Sequence, residues 1–232
     1  VFILGSGRSG TTLLASLINR FAGVHIAKET GYVSRSMALL DAIDTAGSLP
    51  ALVEMANSWL EVEGWTNRAS VRGYEQFAAA SGLAGAEAFL HYVWQLDSVR
   101  PWDSLSHIGD NTPSYVWAIP KMSALLPFSK YIHMVRDPRD VAASMLNMRF
   151  GANDAVTAAL DWSSNLGAWL ACERLVPEHR RIEIRYEDLC ADPERELMRV
   201  AVFLGISDAE VKPILDQRAN GTASTAHEFA SV

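Results

Sequence analysis

Val1-Phe-Ile-Leu-Gly-Ser-Gly-Arg-Ser-Gly-Thr-Thr12 is the most informative segment of this 232-residue chain. Val1 to Leu4 predicts a short buried strand, and Gly5 to Thr12 predicts a glycine-rich loop that opens a helix at Thr11. Two glycines separated by four residues and followed by polar residues at a helix N-terminus are typical of a phosphate-binding loop. Glycines let the backbone approach a ligand closely, and the N–H groups and helix dipole favour an anion. The segment therefore predicts a phosphate site.

The loop differs from that of a nucleotide triphosphatase at one position. Such enzymes place a lysine that reaches the β- and γ-phosphates where this chain has Thr11. Arg8 is the only cationic residue of the loop sequence. The loop therefore predicts phosphate binding in a chemistry other than ordinary ATP hydrolysis.

The composition is that of one globular α/β domain covering residues 1–232, with 49% hydrophobic and 20% charged residues. A net charge of −7 argues against a broad nucleic-acid-binding surface. The sequence has no apolar run of about 18 residues that would predict a membrane span. Its two cysteines, Cys172 and Cys190, are expected to be reduced and buried. Without a signal-peptide pattern, these features favour the cytoplasm.

Hydrophobic periodicity divides the chain into alternating strands and helices. The predicted strands cover residues 1–4, 24–27, 106–109, 130–135 and 181–185. The predicted helices cover residues 11–21, 114–126, 138–148, 154–175, 194–204 and 208–219. Residues 34–105 predict several further helices, broken near 47–50 and 82–85, which would form a cap on the acceptor side. The alternation predicts a P-loop-like three-layer fold, with a mostly parallel sheet flanked by helices and ligands at the carboxyl ends of the strands.

A second polar segment follows the strand that ends at Val135. Arg136 comes directly after this strand, and Ser144 lies about two turns into the next helix. The planar guanidinium suits a phosphate, and the hydroxyl adds a donor. The alternative is a structural pair between Arg136 and Asp137 or Asp140, with Ser144 as a small packing residue.

A third segment, Arg185-Tyr-Glu-Asp-Leu189, leaves the last predicted strand. Tyr186 is able to stack on a base or hydrogen-bond to it. The alternative is a half-buried core tyrosine. Further along, the polar segment 220–225 is either a flap over a ligand or a frayed terminus.

Together the three segments resemble the sulfotransferases that use 3′-phosphoadenosine-5′-phosphosulfate (PAPS). Arg8-Ser-Gly-Thr-Thr-Leu13 is similar to the family's 5′-phosphosulfate loop, and Val135-Arg-Asp-Pro138 with Ser144 is similar to its 3′-phosphate motif. The segment from Arg185 to Leu189 resembles its late adenosine-contacting segment. The resemblance runs from Val1 to about Ile206. The arginine-containing loop is more similar to that of the carbohydrate and tyrosylprotein sulfotransferases than to that of the cytosolic steroid or phenol enzymes, which usually have lysine there.

The resemblance implies sulfuryl transfer from PAPS to an acceptor hydroxyl, in line and without a metal. Arg8 is implied at the 5′-phosphate and the bridging oxygen. Arg136 and Ser144 are implied at the 3′-phosphate, and Tyr186 at the adenosine. Four loop residues are implied to hold the 5′-phosphate through their N–H groups and the threonine hydroxyls: Ser9, Gly10, Thr11 and Thr12.

An alcohol or phenol acceptor must lose a proton, so a general base is required. Glu29 resembles the glutamate that serves as base in tyrosylprotein sulfotransferases; the alternative is a loop glutamate paired with Lys28. Asp110, His107 and His25 are lesser candidates.

Asn111 departs from the family pattern, because related enzymes often have lysine at this position. Its amide is able to donate a hydrogen bond to the sulfuryl oxygens but brings no charge. Arg8 or another cation such as Lys28 would then carry more of the charge stabilisation, or the activity would be weak.

Two other functions remain open at this point. A P-loop nucleotide kinase is disfavoured by Thr11, whereas Asn111 is consistent with a non-catalytic nucleotide-binding protein. For the enzyme, the expected acceptor is a small molecule, a glycan or glycolipid, or a tyrosine.

Overall fold

The computed structural model describes residues 1–45, 47–62, 67–96, 98–146, 148, 152, 154–207 and 211. Five strands form one sheet: β1 (Phe2–Gly5), β2 (Val24–Ala27), β3 (His107–Asp110), β4 (Tyr131–Val135) and β5 (Arg181–Arg185). All neighbouring strands are parallel, in the order β2-β3-β1-β4-β5. The strand that precedes the glycine-rich loop is therefore the central one, and every loop that leaves a strand opens on the same edge of the sheet.

Ten α-helices surround the sheet within the described residues. They are α1 (Thr11–Ile18), α2 (Tyr32–Asp41), α3 (Ser48–Val62), α4 (Val71–Ser81), α5 (Gly85–Gln95), α6 (Ile119–Leu125), α7 (Pro138–Leu146), α8 (Ala155–Cys172), α9 (Tyr186–Ala191) and α10 (Pro193–Leu204). Short 3₁₀ turns cover Trp102–Ser104, Pro113–Trp117, Glu173–Leu175 and Glu178–Arg180.

Alternation along the strands creates two cores, one on each face of the sheet. Phe2 and Leu4 of β1 point into a cluster with side chains from α2 to α6 and from α8. Ile3, between them, points into a second cluster with α1, α9 and α10. Because successive strand residues face opposite sides, one buried strand serves both helical layers. The predicted three-layer arrangement with a parallel sheet is confirmed.

The helices from α2 to α5 occupy most of the segment predicted as a helical cap. Tyr32, Leu52 and Phe89 from these helices are fully buried in the same cluster as Phe2. The segment thus packs on one face of the sheet. Its assignment to the acceptor side stays a prediction.

Several element boundaries differ from those predicted, for local reasons. The helix expected over residues 11–21 ends at Ile18, because the Asn19 amide binds both the N–H and the C=O of Ile26 and fastens the turn to β2. The helix expected over 114–126 is divided into a 3₁₀ turn and α6. The short helix α9, which begins at Tyr186, was not predicted.

Two sequence predictions fall largely outside the described residues. The helix expected over 208–219 has only Val211 described, and the polar segment 220–225 is outside altogether. Within the described part of the chain, no helix is both long enough and apolar enough to cross a membrane.

Candidate active site

The glycine-rich loop starts where two strands approach closely. Gly5 ends β1 with φ +150°, and a Cβ there would lie 2.3 Å from the carbonyl oxygen of Met134 on the neighbouring strand. Real Cβ atoms do not approach backbone oxygen this closely, so the position requires glycine. The strand pairing therefore fixes the direction in which the loop leaves the sheet.

Arg8, the cation of the loop, has an unusual backbone conformation. Its φ is +67°, the left-handed region that non-glycine residues rarely occupy. Two hydrogen bonds hold it: Arg136 Nη1 donates to the Arg8 carbonyl over 3.1 Å, and the Ser9 N–H donates to the Ser6 carbonyl over 3.2 Å. The Arg8 Nε donates to Ser144 Oγ at 2.9 Å. The fold thus joins the first and second sequence segments directly.

Gly10 and Tyr186 bring the third segment to the same place. Gly10 is the N-cap of α1 with φ +94°, and a Cβ on it would lie 2.4 Å from Tyr186 Cδ2. The Tyr186 ring also lies under the guanidinium of Arg136, whose Cζ is 4.0 Å from the ring centroid. Burial raises the pKa of Tyr186, so its hydroxyl stays protonated at neutral pH. All three motifs therefore converge at the carboxyl edge of the central strands.

The peptide that links Arg136 to Asp137 is clamped from two helices. Trp162 Nε1 on α8 donates to the Arg136 carbonyl over 3.0 Å, and Glu187 on α9 accepts the Asp137 N–H over 2.7 Å. The Asp137 carboxylate pairs with Arg139, which lowers its pKa to about 2. The Nε of Arg136 is buried and has no hydrogen-bond partner among the described residues. A buried guanidinium N–H without an acceptor favours a bound anion.

A cavity of about 510 Å³ opens beside the loop, within the range of ordinary small-molecule sites. Five residues of the loop and helix start line it: Gly7, Arg8, Gly10, Thr11 and Thr12. Its other walls come from the β2–α2 loop, the segment after β3, and α7 and α8: Glu29, Pro113, Ser114, Met145, Met148, Ala152, Thr157, Asp161 and Asn165. The cavity thus combines cationic, hydroxyl and carboxylate groups around an anion-binding loop.

Asp110 fastens the wall that carries Glu29. It lies fully buried at the end of β3 and accepts hydrogen bonds from the hydroxyls of Thr30, Tyr115 and Thr112 and from the Thr112 N–H. Burial raises the pKa of the Asp110 carboxyl, and these four donors oppose that rise. Asp110 therefore holds the loop next to Glu29, while Glu29 itself is exposed and lines the cavity.

Not every predicted site residue lines this cavity. Ser9 is fully buried and its N–H is used within the loop turn. Asn111 is 3% exposed, and its Oδ1 has no hydrogen-bond partner among the described residues. The histidines considered as bases, His25 and His107, lie on β2 and β3 and are also absent from the cavity lining.

The expectation that both cysteines are buried was wrong. Cys172 is partly exposed and Cys190 is exposed, and both are free thiols. Cys190 lies on the short helix α9, which turns the side chain outward.

The sequence reasoning missed the contribution of α8. Thr157, Asp161 and Asn165 line the cavity, and their spacing of four residues places them on one helical face. Thr157 Oγ1 bonds to Asp154 at the N-cap, and Asn165 accepts from Trp117 Nε1 over 3.0 Å. A polar stripe on an otherwise apolar helix was the available signal.

Among the described residues, no group of three or more His, Cys, Asp or Glu side chains is placed to hold a metal ion.

Comparison with known proteins finds matches over most of the chain. The model of the sulfotransferase family matches residues 1–210. The sulfotransferase domain of the Synechococcus PCC 7002 olefin synthase is similar in structure, with a TM-score of 0.61 at 26% identity; the match covers 89% of this chain and 72% of that one.

Curated relatives differ in their acceptors. Protein-tyrosine sulfotransferase A of Caenorhabditis elegans is 23% identical over 89% of this chain and 50% of its own length. An omega-hydroxy-beta-dihydromenaquinone-9 sulfotransferase of Mycobacterium tuberculosis is 30% identical over 42% of this chain and 28% of its own length. The chain spans about half the length of the first of these relatives, and less of the second.

Proposed function

Because the chain belongs to the sulfotransferase family, we propose that it moves a sulfuryl group from PAPS to the hydroxyl of an acceptor. The observation that supports this most directly is the contact of the three motifs around Arg136. Its guanidinium binds the loop carbonyl of Arg8, stacks on Tyr186 and has a buried Nε for which the described residues supply no acceptor.

The residues around Arg136 suit a 3′-phosphate. An arginine with one face on an aromatic ring is held in a fixed plane, which favours bidentate binding of phosphate oxygens. Ser144 Oγ already accepts from Arg8, so its own O–H remains able to donate to an anion. A phosphate at this position would distinguish PAPS from ATP.

The loop and α1 suit the 5′-phosphate. The N–H groups at the start of α1 and the hydroxyls of Thr11 and Thr12 lie beside Arg8 on the cavity wall. When bound, PAPS supplies an activated sulfuryl group whose bond to the 5′-phosphate oxygen breaks as the acceptor oxygen attacks. Arg8 would stabilise the negative charge that develops on that phosphate oxygen. None of these roles needs a metal.

Glu29 is the proposed general base. It lines the cavity from the β2–α2 loop, and the buried Asp110 network fixes its neighbour Thr30. The carboxylate would take the proton of the acceptor hydroxyl as the new oxygen–sulfur bond forms. Asn111 is 3% exposed and is not among the residues that line the cavity, so its contact with the sulfuryl oxygens stays a prediction.

The acceptor is proposed only as a hydroxyl-bearing molecule. The proposed acceptor classes are a small molecule, a glycan or glycolipid, and a tyrosine. The relatives act on different acceptors by name, so the family does not select one of them.

Calorimetric binding of 3′,5′-adenosine bisphosphate tests the donor site. We expect binding without metal that is much tighter than that of ADP, or of ATP with Mg²⁺. Arg136→Ala should weaken binding at least tenfold, because hydrogen bonds to a charged group are worth about 1.5–3 kcal/mol each. The matched control is Arg139→Ala, whose side chain is 87% exposed and paired with Asp137. A preference for Mg-ATP, or equal effects of the two alanine variants, would contradict the proposal.

A further inference from the structure

A second, much smaller cavity lies between the phosphate-binding loop, β4 and α8. It is lined by Ser6, Ser9, His133, Trp162 and the β4 residues Met134 and Val135, among others. Its volume of about 10 Å³ is close to the minimum that one water molecule needs. The cavity therefore has room for one water molecule between the loop and β4.

Ser9 brings an unsatisfied polar atom to this cavity. The residue is fully buried, and its Oγ has no hydrogen-bond partner among the described residues. A buried hydroxyl without a partner costs about 1–3 kcal/mol, so such groups normally bind protein or an ordered water. Ser9 follows Arg8, the loop residue with positive φ. Its hydroxyl is thus placed to hold the part of the loop that is under backbone strain.

His133 faces the cavity from β4, and its ring is fixed on two sides. It stacks on Trp169 with centroids 4.4 Å apart and an angle of 10° between the planes. Its Nδ1 lies 3.0 Å from Glu183 Oε2 on the adjacent strand β5. A carboxylate accepts, so Nδ1 carries the proton, and a neutral ring then presents Nε2 as an acceptor. Nε2 is the second polar atom of this ring, and the ring lines the cavity.

We propose that one water molecule occupies this cavity and bridges Ser9 Oγ to His133 Nε2. Glu183, His133 and the water then form a continuous hydrogen-bonded chain from β5 to the phosphate-binding loop. His133 and Glu183 are positioning residues in this arrangement: they contact no substrate but hold Ser9, and through it the strained backbone of Arg8. Strained conformations persist only where the surroundings over-determine them, which is what the chain supplies.

The nitrogen resonances of the histidine ring test the link directly. Long-range ¹H–¹⁵N spectra of the unliganded protein should show His133 as the neutral Nδ1–H tautomer. Ser9→Ala should shift the Nε2 resonance, because it removes the hydroxyl at the far end of the bridge. The matched control is Ser16→Ala on the exposed side of α1, which should leave His133 unchanged. An Nε2–H tautomer, a doubly protonated ring, or a spectrum that Ser9→Ala leaves unmoved would overturn the proposal.

A double-mutant cycle measures the effect on the loop, and only this part rests on the proposed function. Ser9→Ala and His133→Phe should each weaken binding of 3′,5′-adenosine bisphosphate about three- to tenfold. The double variant should bind the nucleotide no more weakly than the single variant with the lower affinity, because each substitution removes the same bridge. His133→Gln, which keeps a polar atom near Nε2, should restore much of the loss. Thermal unfolding of each variant shows whether it is folded.

The outcomes separate the two proposals. Additive losses in the cycle, or no rescue by His133→Gln, would overturn the positioning role. If wild-type protein does not bind the nucleotide, the donor assignment fails, and the ring spectra still decide whether the bridge exists.

Discussion

At Gly10, the lack of a side chain is a steric requirement set by Tyr186. We expect Gly10→Ala to weaken nucleotide binding at least tenfold, because a Cβ would lie 2.4 Å from the ring on which Arg136 stacks. It should also lower the free energy of unfolding by roughly 1–3 kcal/mol. Gly82→Ala is the matched control: φ there is +71° but no atom lies within 4 Å of the added carbon. Both variants incur backbone strain, so a loss of binding confined to Gly10→Ala isolates the clash with Tyr186; equal binding would contradict it.

Glu29 gives a prediction about turnover rather than binding. Glu29→Gln should reduce kcat by about 10²- to 10⁴-fold, the usual contribution of a general base, with the affinity for 3′,5′-adenosine bisphosphate unchanged. The assay uses radiolabelled PAPS with a phenol, a primary alcohol and a tyrosine peptide as acceptors. Glu75→Gln, an exposed position on α4, is the control. Unchanged kcat would remove Glu29 from the mechanism, whereas lost nucleotide binding would indicate a structural role.

At the scale of elements, the pairing of β4 with β5 carries a pH-dependent contribution to stability. The hydrogen bond from the His133 N–H, helped by the charge of Arg185 and opposed by partial burial, holds the pKa of the Glu183 carboxyl below its usual value of 4.5. A carboxyl whose pKa is lower in the folded state stabilises the fold above its unfolded pKa. That contribution is lost as the pH falls through the lower folded value.

Urea unfolding of wild type and Glu183→Gln between pH 7 and pH 3 tests this contribution. The wild type should be more stable at pH 7, and the difference should shrink below about pH 4.5. Glu178→Gln is the control, because that side chain is 93% exposed and its carboxylate lies 4.0 Å from the Arg181 guanidinium, too far for a close ion pair. If the difference in the free energy of unfolding between the two proteins stays constant with pH, Glu183 contributes to stability through its packing and not through its charge.

Elements with strong local patterns were predictable, and contacts between distant elements were not. The strands Val24–Ala27 and Arg181–Arg185 have the predicted bounds, because a run of strand-forming residues bounded by turn signals is local information. The helix α9 was missed because six residues show too little periodicity. The hydrogen bond from Arg8 to Ser144 joins residues 136 positions apart, and no local pattern specifies it.

At the scale of the whole molecule, the same distinction holds for the candidate site. The three motifs were recognisable because backbone chemistry at strand ends constrains which residues occur there. The burial of Asn111 and the polar face of α8 depend on how layers pack, which the sequence alone leaves open. The parallel sheet followed from the alternation of strands and helices, whereas its order, with β1 at the centre, required the fold.

The central place of β1 has a consequence for how the protein is made. Of the five strands of this sheet, β1 is the first to be synthesised, yet its two neighbours are β3 and β4, with Phe2 opposite Asp110 on one side and Tyr131 on the other. Neither edge of this apolar strand is able to find its native partner until more than 100 further residues have been synthesised. During that interval Phe2, Ile3 and Leu4 are an exposed β-forming segment, of the kind that molecular chaperones bind. Among the described strands, the one at the centre of the sheet is thus the one that waits longest for its first partner.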